Sequence, residues 1–367
     1  MKSIPFFDYP RAYLDERDDL LKIIDEVSSR GAFILQKELL DFEINLAKFC
    51  GSPKSIGVAN ATDGLELAWL SVGLRPGDEV ICSSHTMLAT ASSIVTAGGV
   101  PVPVDIGEDG LIDPSAIEDA ISERTVGIMP TQLNGRTCDM DHICQIVEKN
   151  GFVLIEDAAQ ALGSRYKNQH AGTFGYASAI SFYPAKVLGC LGDGGAILVN
   201  DENAYDKLYQ LHDHGRGFDG KVHLWGRNSR LDNVQAAILD YRLSNYGEII
   251  KRRREVAAIY QQRLQTLDEI TLPPQPNDGD NFDIFQNYEL RANKRDELRD
   301  YLKNEGIGTL IQWGGEAIHQ MRALGFNQEL PATELYFSKC LMLPMNTFLS
   351  DDDVHFISDK IFEFYRR

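Results

Sequence analysis

Two carboxylates and a lysine, each placed at the end of an apolar run, are the residues of this sequence best suited to chemistry. The first run, residues 152–155, is followed by Glu156 and Asp157, and the second, residues 177–183, by Lys186. Apolar runs of this length predict buried parallel strands, whose carboxyl ends face a ligand crevice in open α/β sheets. An amine and a carboxylate at that edge suit pyridoxal phosphate (PLP) chemistry. There, a lysine holds the cofactor as a Schiff base and an aspartate pairs with the pyridinium nitrogen.

Each of these residues alone also has a plainer interpretation. An acid at a strand end is often a solvated turn residue, and a lysine in a loop is usually a surface charge. The glycine run 189–195 could be mistaken for a dinucleotide loop, but it follows Lys186 instead of opening a helix after the first strand. The order strand, aspartate, strand, lysine, glycine-rich turn and strand is what favours a PLP site.

Three separated blocks of sequence carry a resemblance to a known family. They are IEDAAQALG from Ile155, SFYPAKVLGCLGDGGAI from Ser181 and GRNSRLDNVQAAIL from Gly226. In this order they resemble the DegT family of fold type I PLP enzymes, the sugar aminotransferases of surface-polysaccharide and antibiotic-sugar pathways. The similarity extends over nearly the whole chain, from Ile4 to the LPMNTFLS segment that begins at Leu343. Some relatives are dehydratases with histidine in place of the lysine, so Lys186 favours transamination.

The resemblance also implies roles for individual residues. It implies that Lys186 is the catalytic residue, that Asp157 pairs with the pyridinium nitrogen and that Gln160 contacts the 3′ oxygen of the cofactor. The other implied cofactor contacts are Ala61, Thr62, Ser181 and the partner subunit's Asn228 for the phosphate, with Met87 against the ring. The implied substrate-binding residues are Arg230 and His319.

A phosphate site near Thr62 also has a basis in the residues themselves. Thr62 and Asp63 are good N-cap types before an apolar helical pattern, and a helix N-terminus offers free N–H groups to phosphate. Simple helix capping is the plainer interpretation of the same residues.

Several positions depart from the pattern of the resembled family. Met87 stands where an aromatic ring usually stacks on the cofactor, and methionine can pack against a ring through its sulfur. Gln132 and Asn134 replace the common histidine and tyrosine, and Gln312 also differs. We expect Gln132 and Asn134 to face the active site and to alter substrate recognition.

In the resembled family, a Gly–x–aromatic–Ile–Leu turn such as that at residues 31–35 is more typical of enzymes that use 3-keto sugars than of those that use 4-keto sugars. Gln36 replaces the glycine that usually follows it.

Composition limits the classes of partner. The formal net charge of −18 argues against binding to nucleic acids or anionic membranes. The first 19 residues lack the apolar segment of a secretory signal, and the six cysteines lack metal or disulfide spacing, so we expect a cytoplasmic protein without a metal site. The three histidines between residues 212 and 223 have no regular ligand spacing.

The chain is long enough for two domains. Alternating strand and helix patterns through residue 200 predict a large PLP-binding domain at 1–244, with a mostly parallel mixed sheet flanked by helices. A smaller C-terminal α/β domain is predicted at 245–367, and residues 307–313 are predicted to form one of its strands.

The residues and the resemblance together predict an aminotransferase that uses PLP. It is expected to move an amino group from glutamate to a keto sugar, most often nucleotide-linked in this family, as a homodimer with shared active sites. Two alternatives stay open: a PLP aminotransferase acting on a small phosphorylated or cyclitol ketone, and a non-catalytic binding or regulatory protein on the same scaffold.

Overall fold

The computed structural model describes residues 2–277 and 279–366 and confirms the predicted α/β fold. The strands are β1 Lys54–Val58, β2 Glu79–Ser83, β3 Val100–Val104, β4 Thr125–Met129, β5 Val153–Asp157, β6 Arg165–Tyr166, β7 Gln169–His170, β8 Ala177–Ser181, β9 Gly195–Val199, β10 Ile270–Thr271, β11 Asn281–Phe282, β12 Tyr288–Ala292 and β13 Cys340–Leu343. The α-helices are α1 Tyr9–Ser29, α2 Lys37–Cys50, α3 Ala61–Val72, α4 Leu88–Thr96, α5 Pro114–Asp119, α6 Met140–Asn150, α7 Tyr205–His212, α8 Asn233–Ser244, α9 Tyr246–Leu264, α10 Arg295–Asn304, α11 Pro331–Lys339 and α12 Asp351–Tyr365.

A seven-stranded mixed sheet forms the centre of the fold, in the order β1-β9-β8-β5-β4-β2-β3. Strand β9 runs antiparallel to both of its neighbours, whereas β8, β5, β4, β2 and β3 pair in parallel. The inner strands are almost completely buried, which explains why their residues are mostly apolar. The carboxyl ends of β5 and β8 lie side by side, and this is the edge where the sequence places its acid and its lysine.

A second sheet, β10-β12-β13, forms with α10 and α12 around a separate core in the C-terminal part of the chain. Helix α9 contributes to both cores, because Tyr246 packs with the large core and Tyr260 with the smaller one. The N-terminal arm also reaches the C-terminal part, where Ile4 pairs with Ile307. The domain boundary at residue 245 therefore stays a prediction.

Two local predictions were wrong. Residues 307–313 form isolated bridges through Ile307 and Leu310 and then a 3₁₀ turn, because Trp313 adopts a positive φ of 46° that no strand accommodates. The helix predicted to begin near Thr62 is capped by Asn60, whose side chain accepts a hydrogen bond from the Asp63 N–H at 2.8 Å.

Within the described residues, no helix combines the length and the apolar character needed to cross a membrane.

Candidate active site

Asp157 is the last residue of β5 and lies buried at the centre of the sheet. Its Oδ2 accepts a hydrogen bond from Thr90 Oγ1 at 2.6 Å, and its Oδ1 accepts one from the Ala159 N–H at 3.2 Å. Burial raises the pKa of Asp157, while these two donors and the nearby Lys186 lower it. A buried carboxylate held in this way is suited to accept a proton or an N–H from a ligand that enters the site.

Lys186 lies on the loop that connects β8 to β9 and lines a cavity of about 450 Å³. The loop folds tightly because Gly189 has no side chain, and a Cβ there would lie 2.9 Å from the Tyr183 carbonyl oxygen. The Lys186 side chain is partly exposed to the cavity, yet the surrounding protein desolvates its ammonium group. Desolvation lowers the pKa of Lys186 to about 8, against the attraction of Asp157, which raises it.

The structure thus brings together the acid and the lysine that the sequence singled out. They lie close enough for the charge of each to shift the pKa of the other. A lysine with a pKa of about 8 has a substantial neutral fraction near physiological pH. Such an amine can attack a carbonyl carbon or remove a proton from carbon.

The N-terminus of α3 forms a further corner of the site. The backbone N–H groups of Ala61 and Thr62 lie in the first turn, where a helix has no acceptors of its own to offer. The start of β9 is pressed against this turn, since a Cβ on Gly195 would lie 2.6 Å from the Ala61 nitrogen. Ser181 is the β8 residue paired with Gly195, so its hydroxyl lies near the same corner. Free N–H groups at a helix N-terminus fit a phosphate.

Gln160 follows β5 by three residues and has a fixed amide orientation. Its Oε1 accepts hydrogen bonds from the Asn134 backbone N–H at 3.0 Å and from Asn287 Nδ2 at 3.3 Å. A backbone N–H can only donate, so the oxygen of the amide must face Asn134 and the NH₂ group must point away from it. Within the described part of the chain, no hydrogen bond uses Gln160 Nε2. The predicted contact with the 3′ oxygen of the cofactor is compatible with this free donor.

Met87 directly precedes α4 and is half exposed, at 50%. Its exposed thioether is available to pack against a ring. The contact with the cofactor stays a prediction.

Asn228 and Arg230 line a second cleft of about 400 Å³, together with Ala59 and Asp193 of the same chain. Arg230 donates a hydrogen bond to Asp213 at 3.0 Å. A single chain does not test whether Asn228 reaches the site of a partner subunit, so this role also stays a prediction.

His319 is fully buried, and its two ring nitrogens contact Ser84 Oγ and the Glu334 carboxylate. These contacts do not test the predicted contact between His319 and substrate, so this role stays a prediction.

Gln132 does not face the active site, which corrects our expectation. It is fully buried; its Nε2 donates to Glu156 at 2.8 Å and its Oε1 accepts from the Cys138 N–H at 2.7 Å. Glu156 in turn accepts three backbone N–H groups from residues 172–175. The acid next to Asp157 therefore holds a loop and takes no part in the site.

Sequence reasoning missed two residues that shape the site. Thr90 holds Asp157, and Gln286 bonds to the backbone on both sides of Lys186, at Ala185 and Val187. These contacts join residues more than 60 positions apart, and no local pattern in the sequence predicts them. Among the described residues, no group of three or more His, Cys, Asp or Glu side chains is placed to hold a metal ion.

The three polar groups of PLP match the three parts of this site. The lysine amine suits its aldehyde, the buried aspartate suits its ring nitrogen and the α3 N-terminus suits its phosphate. Together with the mixed seven-stranded sheet, these features define the class of fold type I PLP-dependent aminotransferases.

The chain belongs to the DegT/DnrJ/EryC1/StrS aminotransferase family, whose sequence profile matches residues 14–362. It is 36% identical to the "Pleiotropic regulatory protein" of Geobacillus stearothermophilus, with 99% of each chain covered. It is 35% identical to the dTDP-3-amino-3,4,6-trideoxy-alpha-D-glucose transaminase of Streptomyces venezuelae, covering 99% of this chain and 97% of the relative. The crystal structure of S. venezuelae DesV in complex with a ketimine intermediate is similar over 100% of both chains, with a TM-score of 0.95 and 35% identity. The predictions of an aminotransferase and of PLP as its cofactor are confirmed.

Proposed function

We propose that this enzyme transfers the amino group of glutamate to a nucleotide-linked keto sugar, at the 3-keto position. The observation that carries the proposal is the pair formed by Lys186 and Asp157 at adjacent strand ends, with the pKa of Lys186 lowered to about 8. The 3-keto assignment is supported by the turn at residues 31–35 and by similarity to a transaminase named for a 3-amino dTDP sugar.

Bound PLP supplies an electron sink for the negative charge that develops when a substrate carbon loses its proton. The neutral Nζ of Lys186 would take up that proton and would return it to the carbon on the other side of the transferred nitrogen. Water would then release the keto acid, which completes one half of the transfer. The Asp157 carboxylate accepts the ring N–H and so keeps the ring protonated. The N–H groups of Ala61 and Thr62 and the hydroxyl of Ser181 bind the phosphate and fix the position of the ring relative to Lys186.

We also propose that the active form is a homodimer with shared active sites. Apolar side chains stay exposed on the loop that carries Lys186, among them Tyr183 (53%) and Leu191. A second copy packed on this face would cover them and would bring its Asn228 to the phosphate corner. The loop around Trp225, which is 98% exposed, offers a further apolar contact.

The experiment that tests the substrate assignment is a transfer assay with ¹⁵N-glutamate and a panel of 3-keto and 4-keto dTDP and UDP sugars, together with small phosphorylated and cyclitol ketones. Mass spectrometry of the products should show the label in a 3-amino sugar. Label in a 4-amino sugar alone would overturn the 3-keto assignment. Label only in a small phosphorylated or cyclitol amine would overturn the nucleotide-sugar assignment.

A further inference from the structure

Three residues of one short segment in the C-terminal part of the chain, Gln286, Asn287 and Glu289, bond to residues of the PLP site or to the residues that hold them. Gln286 is buried; its Nε2 donates to the Ala185 carbonyl oxygen at 3.0 Å and its Oε1 accepts from the Val187 N–H at 2.9 Å. These are the two backbone neighbours of Lys186. A single amide side chain therefore bonds to the main chain on both sides of the lysine.

The main chain at Gln286 is itself held from helix α9. Arg253 is buried there and donates to the carbonyl oxygens of Phe285, at 2.8 Å, and Gln286, at 2.6 Å. Phe285 has a positive φ of 53°, which is uncommon for a bulky residue and shows that this segment is held in place by its contacts. The backbone that carries the Gln286 side chain is thus fixed by hydrogen bonds from Arg253.

Asn287 connects the same segment to Gln160. Its Nδ2 donates to Asn134 Oδ1 at 2.8 Å and to Gln160 Oε1 at 3.3 Å. The Asn134 backbone N–H donates to the same Gln160 oxygen. These two donors hold the amide so that its Nε2 faces away from them.

Glu289 fixes Asn134. Its Oε2 accepts from Asn134 Nδ2 at 2.8 Å and from the Tyr336 hydroxyl at 3.1 Å, and its Oε1 accepts from Gln312 Nε2 at 3.0 Å. Gln312 also donates to Asn134 Oδ1 at 2.7 Å. All of these groups are buried. The other charged or titratable groups that face Glu289 are His85, with Nε2 at 3.6 Å, Arg136 and Cys340.

We propose that Gln286, Asn287 and Glu289 form a positioning clamp. Gln286 fixes the position of Lys186. Asn287, together with Glu289 acting through Asn134, fixes the direction in which the NH₂ group of Gln160 points. The proposal rests on the proposed function, in that it takes Lys186 and Gln160 as the groups that meet the cofactor. It assigns Asn134 and Gln312 a role in orienting the site, instead of direct contact with the substrate.

A purely space-filling role does not account for this segment. Buried amide and carboxylate groups cost free energy unless each is hydrogen-bonded, and apolar side chains of the same size would fill the space without that cost. Instead, Gln286 bonds to the backbone on both sides of Lys186 and Asn287 bonds to Gln160. Glu289 bonds to Asn134, which itself holds Gln160.

The clamp predicts separate effects for its two arms. In Gln286→Met both bonds to the lysine loop are lost, so recombination of the cofactor-free enzyme with PLP should slow by about ten- to a hundredfold. Gln286→Glu keeps the acceptor for Val187 but loses the donor to Ala185, so its rate should lie between those of the wild type and Gln286→Met.

The arm through Asn287 is tested by the pH titration of the absorbance of the bound cofactor. An N–H donated to the 3′ oxygen draws charge from that oxygen, which then stabilises the protonated nitrogen of the Lys186 linkage less. In Asn287→Leu the Gln160 oxygen keeps its bond from the Asn134 N–H but loses the one from Asn287. The Gln160 donor is then held less firmly, so the midpoint of the titration should rise by about half a pH unit. The rate of recombination with PLP should change little in this variant.

Leu302→Ala serves as the stability control, because Leu302 is fully buried in the C-terminal core and has no hydrogen bond to the clamp through its side chain. It should lower the melting temperature without changing the recombination rate or the titration midpoint. If Gln286→Met and Asn287→Leu behave like this control, the clamp is disproved while the PLP site stands. If wild-type protein shows no cofactor linked to Lys186, the proposed function itself fails.

Discussion

At the scale of single residues, burial shifts the protonation of Lys186 and Asp157 in opposite directions. It lowers the pKa of the lysine to about 8 and raises that of the aspartate, so in both cases it favours the neutral form. Each group opposes this effect in the other through their mutual attraction. The result is an amine that can act as a nucleophile and base near neutral pH. An ordinary lysine, with a pKa of 10.5, is almost entirely charged there.

The pKa of Lys186 gives a prediction for the cofactor-free enzyme. At pH 7 about a tenth of the Lys186 amines should be neutral, against about one in three thousand for an ordinary lysine. The rate of recombination with PLP should therefore rise about tenfold per unit below pH 8 and level off above it. Stopped-flow absorbance at pH 6 to 10 measures this. A rate that keeps rising to pH 10 would show that Lys186 has an ordinary pKa.

At the scale of elements, the phosphate corner depends on how closely β9 approaches the first turn of α3. The absence of a side chain at Gly195 allows this contact, because a Cβ would collide with backbone atoms of Asn60 and Ala61 at 2.6 Å. Backbone cannot move aside as a flexible side chain can. One methyl group at this position should therefore displace the helix N-terminus from the phosphate.

Gly195→Ala should raise the dissociation constant of PLP by about tenfold or more, because about 1.4 kcal/mol of lost phosphate binding corresponds to a factor of ten. Equilibrium dialysis of the cofactor-free protein measures it. Gly247→Ala is the matched control, since Gly247 lies within α9 and a Cβ there meets no atom within 4 Å. Equal affinities in the two variants would show that this corner does not bind the phosphate.

The secondary-structure elements also show which parts of the fold the sequence predicts. Strands β5, β8 and β9 were predictable because strands buried on both faces are mostly apolar. The positions of the acid and the lysine follow directly from where two of those strands end. The clamp was not predictable, because Gln286 meets Ala185 and Val187 across about 100 residues and only the folded chain sets that contact. The strand predicted at 307–313 failed for a similar reason. Ile307 and Ile311 pack in the cores, but Leu310 stays exposed and the backbone turns at Trp313.

At the scale of the whole molecule, the exposed apolar face around the Lys186 loop predicts that one active site needs two chains. We expect a homodimer in solution by light scattering. The sharper test mixes Lys186→Ala and Asn228→Ala by unfolding and refolding them together, with the assay at a PLP concentration too low to support activity of Asn228→Ala alone. If Asn228 serves the site of the partner, each mixed dimer contains one site with both changes and one intact site, so activity should return.

Recovery should approach a quarter of the wild-type activity, because mixed dimers are about half of a random assembly and each holds one working site of two. Either variant refolded alone is the control. No recovery from a preparation that contains mixed dimers would mean that Asn228 serves its own chain, and the shared site would be disproved.

The measurement that tests the central claim most directly is the absorbance spectrum of the purified enzyme with PLP, before and after the addition of glutamate, beside that of Lys186→Ala. In the wild type the band of the lysine-linked cofactor should disappear as the amino form of the cofactor accumulates, and a 3-keto nucleotide sugar should restore it. Lys186→Ala should lack the lysine-linked band and should not turn over. Turnover in Lys186→Ala, or a wild-type spectrum that does not respond to glutamate, would contradict the account.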